Sequence, residues 1–97
     1  MKTKRIYHNF EDHKKKLFKD PKVREACEKE FLTLMIAHQI VDLRKKKKLK
    51  QKELAVKIGI SGEQYMSALE SGRRMTSIPL LLKMAGVFGK RLSIKFI

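Results

Sequence analysis

Cysteine, acidic residues and long apolar runs are all scarce in this chain, and each shortage excludes something. Cys27 stands alone in 97 residues, so no intrachain disulfide framework exists. Its place inside a helical pattern reads as a small packed residue, with a reactive thiol as the alternative. The longest apolar run, Leu34 to Ala37, is far too short to span a bilayer. The start, "MKTKRIYHNF", has basic residues with no apolar stretch behind them, so it reads as no secretory leader, and a cytoplasmic setting follows by default. Asp and Glu number 10 against 24 Lys and Arg, a formal charge of +14.

That excess is spread along the chain. Residues 1–50 carry 16 basic and 7 acidic side chains, and residues 51–97 carry 8 and 3. A polyanionic partner is expected, with nucleic acid ahead of a membrane surface, because no segment sets a strong apolar face against a lysine-rich one without also reading as core. Enzymatic readings find little. His8, His13 and His38 are scattered, and no carboxylate or thiol completes a metal set. There is no Ser, His and acid grouping and no glycine-rich phosphate loop. Neither cofactor nor catalysis is expected.

What is present is mostly helical. Asn9 caps a first helix whose opening turn holds Glu11 and Asp12, and "KDPK" interrupts it. Asp20 and Pro21 then open a long helix with an apolar face of Val23, Cys27, Phe31, Leu32, Met35, Ile36, Ile40 and Leu43. The tract Arg44 to Lys48 crowds its end. That tract is either a solvated helix terminus or a grip on phosphate, each contact adding roughly 0.9 to the log–log salt slope. Gln51 to Ile58 is a short helix stopped by Gly59. Ser61 and Gln64 fit a capping box opening the next, which ends at Gly72. Ser77 caps a last helix running to Gly89.

The tail alternates Leu92, Ile94 and Phe96 with Arg91, Ser93 and Lys95, the period of a strand. No second strand is evident. A lone strand wants a partner from another molecule, so dimerisation through this tail is expected, with a frayed terminus as the rival. The organisation expected is an N-terminal helical arm over 1–20, a DNA-binding domain over 21–90 and a dimerising strand over 91–97.

Two short helices about a glycine form a helix-turn-helix, whose second helix enters the major groove. "LKQKELAVKIGIS" followed by "LESGRRMTSIPLLLKMAGVFGKRL" resembles the Cro/C1-type, lambda-repressor-like helix-turn-helix family over roughly Leu32 to Leu92. The resemblance implies a five-helix domain that binds double-stranded DNA. It implies that Gln51 touches phosphate and that Arg44 pairs with Glu70, the alternative for Arg44 being membership of the basic tract. The resemblance also places Arg73 and Arg74 in a loop that commonly approaches the DNA backbone. Lys50 stands where the family often has a threonine cap, which loses the cap and offers a phosphate contact instead.

One departure shifts the reading positions. The segment between Gly59 and Glu70 has one residue more than the family pattern, with Gly62 the suspect. Counted back from Glu70, the base-reading positions are Glu63, Gln64, Ser67 and Ala68. Counted forward from Gly59, they move to Ser61 and Gly62. Gln can pair with adenine and Glu can accept from cytosine, though Gln64 has capping as its other role.

The N-terminal half with "DPKVREACEKEF" resembles HigA-type antitoxins. This implies a homodimeric repressor of its own operator that also blocks a basic ribonuclease toxin, with Glu25, Glu28 and Glu30 as the acidic contacts. A stand-alone or phage-type regulator is the alternative. A protein-interaction module that no longer reads DNA is the third.

Overall fold

The computed structural model describes residues 20–97, which form four α-helices: α1 Pro21–Lys46, α2 Gln51–Lys57, α3 Glu63–Glu70 and α4 Ile78–Phe88. The helix expected from Asn9 lies outside the described residues. So a mostly helical domain is found, with four helices described where five were expected.

Local chemistry accounts for the boundaries. Asp20 is extended, and its Oδ1 accepts from the Lys22 amide at 2.9 Å, while Pro21 occupies the first turn, where no intrahelical donor is needed. Ser77 caps α4 in the same way, its Oγ accepting from the Leu80 amide at 3.4 Å. At α2 the Lys50 amide donates to Glu53 Oε1 at 2.9 Å. A lysine side chain cannot accept in return, so only half of a capping box forms.

All four helices end alike. The residue after the last turn donates to a carbonyl three back, and the next donates to one five back: Lys48 to Lys45 and Leu49 to Arg44, Gly59 to Val56 and Ile60 to Ala55, Gly72 to Leu69 and Arg73 to Ala68, Gly89 to Gly86 and Lys90 to Ala85. This is the Schellman arrangement, and it needs a left-handed residue. Glycine fills that place three times; at the end of α1 it is Lys48, with φ 56°.

The core lies where the helices meet. Leu54, Ala55 and Ile58 of α2 and its end, Met66 and Leu69 of α3, and Met84 and Phe88 of α4 close around Ile40 of α1. Leu54, Ile58, Met66, Leu69 and Met84 are almost wholly removed from solvent. Only the C-terminal half of α1 reaches this core. Farther out, the expected stripe corrects: Val23 and Leu32 stay 40% and 46% exposed, whereas Thr33 is buried, its Oγ1 donating to the Lys29 carbonyl at 2.7 Å. Periodicity finds a helix face but not how much of that face a neighbour covers.

Two other expectations change. Residues 91–97 form no strand, and no strand occurs among the described residues. A ladder needs a second backbone, which the single chain lacks. Leu92 is half-buried, while Ile94 and Phe96 are exposed. Ser61 does not cap α3 either; Gly62 holds that position.

Two substitutions test these backbone constraints by chemical denaturation. Lys48→Gly should stabilise the domain by about 1 kcal/mol, relieving a side chain held left-handed. Gly72→Ala should cost about 1–2 kcal/mol, because φ there is +78°, while the exposed Leu34 side chain must swing aside for the added methyl group.

Candidate nucleic-acid interface

The turn between α2 and α3 decides what α3 presents. Gly59 (φ 80°) reverses the chain, Ile60 drops back toward the core, and Ser61 is exposed. Gly62 then adopts φ 88° and ψ 149°. That combination belongs almost entirely to glycine. The additional residue is thereby taken up before α3 begins, and the expected capping box of Ser61 and Gln64 does not form. Gly62 offers no side-chain oxygen, so the first amides of α3 keep no side-chain acceptor. Helix ends of this kind favour anions.

Along α3 the faces separate cleanly. Met66 and Leu69 are buried, and Tyr65 is half-buried against the core. Glu63 and Gln64 are exposed at the leading end, with Ser67 and Ala68 half-exposed one turn on. These four share one side of the helix, by their spacing of one, three and four residues.

The far end of α3 is clamped. Arg44 Nε donates to Glu70 Oε2 at 2.7 Å and Arg44 Nη2 to Glu70 Oε1 at 3.0 Å, a two-pronged ion pair with side chains only 12% and 5% exposed. Arg44 Nη1 reaches the Leu49 carbonyl at 2.6 Å. Gln51 Nε2 donates to Glu70 Oε1 at 3.1 Å. One carboxylate therefore ties the last residue of α3 to the end of α1 and the first residue of α2. This places Gln51 inside the clamp, a role that reading it as a phosphate contact missed.

Beyond the clamp lies the loop bearing Arg73 and Arg74. The Arg74 guanidinium carbon sits 4.4 Å from the centre of the Tyr65 ring, and the Tyr65 hydroxyl lies 3.5 Å from Thr76 Oγ1. Arg73 Nε donates to Ser71 Oγ at 2.9 Å, and Ser71 Oγ in turn donates to the Ala68 carbonyl. Both arginines are thus held by α3 and its cap. Nothing in the sequence spacing pointed Tyr65 to its partner nine residues on.

The lysines of the remaining basic surface are exposed. Lys50 is exposed at the start of α2. Lys46 leans on Asp42 at 3.6 Å, an exposed pairing of little energetic weight. Leu92, Ile94 and Phe96 take no part in this surface. Among the described residues no group of His, Cys, Asp or Glu is placed to hold a metal ion, and no helix is long and apolar enough to cross a membrane.

This geometry is a short helix, a glycine turn and a helix with a solvent-facing leading end, all on a cationic domain. A helix-turn-helix family model matches residues 40–94, which is more than half of the chain and takes in α2, α3, α4 and the end of α1. The chain belongs to the helix-turn-helix family, whose members are DNA-binding transcription regulators. No curated protein and no solved structure matches it.

Removing Arg44 should strand a buried carboxylate. Arg44→Ala is expected to destabilise the domain by about 3 kcal/mol or more, read by urea unfolding. A change under about 1 kcal/mol would mean that Glu70 is satisfied without the arginine.

Proposed function

We propose that the chain is a sequence-specific repressor that binds its own operator as a dimer and serves as the antitoxin of a HigBA-like pair. The observation carrying the DNA-reading part is the register of α3. With Gly62 absorbing the additional residue and Glu70 anchored, Glu63, Gln64, Ser67 and Ala68 become the reading positions. Gln64 pairs with adenine through two hydrogen bonds, Glu63 accepts from the cytosine amino group, and the small Ser67 and Ala68 admit a thymine methyl. Ser61 and Gly62 pass close to the backbone at the tip of the turn. Lys50, Arg73 and Arg74 neutralise phosphates on either side, and Gln51 holds its amide toward the same strand while anchored to Glu70.

The antitoxin part draws support from charge. Residues 20–42 carry 3 basic and 5 acidic side chains, whereas residues 43–97 carry 14 and 3. The outer part of α1 therefore carries a net negative charge within a basic protein, and it leaves Val23 and Leu32 exposed. A basic ribonuclease partner fits that surface and is repelled by the rest. A stand-alone regulator would use α3 in the same way without needing this segregation.

Binding-site selection with purified variants tests the reading. Gln64→Ala should relax preference at one or two base pairs by about 1–3 kcal/mol each. Lys50→Ala should weaken all sequences alike and lower the salt slope by roughly 0.9. Identical base preferences for wild type and Gln64→Ala would remove Gln64 from the readout.

A further inference from the structure

We infer that the outer face of α4 is where a second copy of this chain docks, and that the tail is not. The inference rests on the dimeric repressor proposed above and supplies its contact surface. Ile78 and Leu82 are each 55% exposed and lie one turn apart. Gly86 continues the same row one turn later, exposed, with open space where a side chain would stand. Met75, just before the helix, is 40% exposed. Glycine inside a helix weakens it relative to alanine, and neither a positive φ nor a close neighbour within the chain requires one at position 86. An approaching helix backbone does.

Charge selects the occupant. The stretch from Met75 to Gly89 holds a single charged side chain, Lys83, in a chain of net charge +14. Two such chains repel wherever lysines face one another, and this stretch is where they can touch without stacking like charges. Lys83 lies beside the row, where its stem can cover apolar surface while its ammonium stays in water. A basic partner gains nothing from so neutral a face, and DNA gains little. One short helix offers less than the about 800 Å² that each partner gives to a standard interface, so the dimer is weak in solution and is completed on DNA. There, adjacent half-sites hold two copies together at high effective concentration.

The full-length chain can be tested by sedimentation equilibrium up to several hundred micromolar, alongside binding to duplexes with one or two copies of a selected half-site. Wild type should dimerise and bind the double site at least tenfold more tightly than the single one. Leu82→Glu should be monomeric and lose that advantage, with single-site affinity unchanged within twofold. Gly86→Ala should raise the melting temperature by about 4 °C and yet weaken dimerisation. Deleting Arg91 to Ile97 should leave the dimer in place. The inference is overturned if wild type stays monomeric, if Leu82→Glu still dimerises, or if only the tail deletion yields a monomer. If the chain dimerises as described but no duplex is preferred over random DNA, the α4 contact stands and the repressor reading falls.

Discussion

The bond between Arg44 and Glu70 is the constraint on which the rest of the described structure depends. Helices α2 and α3 are seven and eight residues long, too short to persist alone in water. Apolar packing holds them together but fixes rotation and sliding only loosely, because Leu, Ile and Met tolerate small shifts. A two-pronged ion pair does not tolerate them. With Gln51 sharing the same carboxylate, the end of α1, the start of α2 and the end of α3 have a single relative placement. Replacing this cluster by apolar residues of like volume would leave stability roughly intact, by the usual behaviour of buried ion pairs. The register is what it contributes.

That anchoring at the far end gives Gly62 its consequence. A residue added to a turn must push something, and here the near end of α3 is the free end. Gly62 takes up the slack in a conformation closed to other residues, so α3 starts later and its exposed side begins with Glu63. Leu34 against Gly72 adds a second brace from α1, just past the clamp. The loop with Arg73 and Arg74 therefore departs from a fixed point. Tyr65 then holds Arg74 through its ring, an attraction worth about 0.5–1 kcal/mol at an exposed site.

How legible this was depended on range along the chain. Asp20 with Pro21, Ser77 and the closing glycines at 59, 72 and 89 could be read directly, since caps involve residues two to five apart. Ser61 misled for the same reason: it satisfies the local pattern, but the helix start is set by a clamp whose partners are 26 residues apart. The pairing of Arg44 with Glu70 was available only through family resemblance, since no local rule links those positions. Tyr65 with Arg74 was invisible because ring and guanidinium meet across a loop. Along α1, Val23 and Leu32 fit the helical period, yet burial depends on whether another element lies alongside. The alternation in the tail was real, but a strand is a property of two backbones and the sequence describes one.

The net charge and the composition of α3 then point to a division of labour. Helix α3 carries two acids and no lysine or arginine, within a chain of +14. Glu70 is neutralised by Arg44, which leaves Glu63 as a bare carboxylate at the leading end. Near phosphates an unpaired carboxylate repels by about 1 kcal/mol even at 4 Å in water, and more where water is excluded. That repulsion weakens the grip on any sequence. On the proposed reading it is offset only where a base-edge donor meets the carboxylate, so Glu63 would discriminate chiefly by penalising the wrong site. Such a device works only if attraction comes from elsewhere, and the same reading assigns it to the cations at Lys50, Arg73 and Arg74, which act without regard to sequence. On the proposed reading, a strongly basic domain with an acidic reading helix is no contradiction, because general affinity and base choice are carried by different residues.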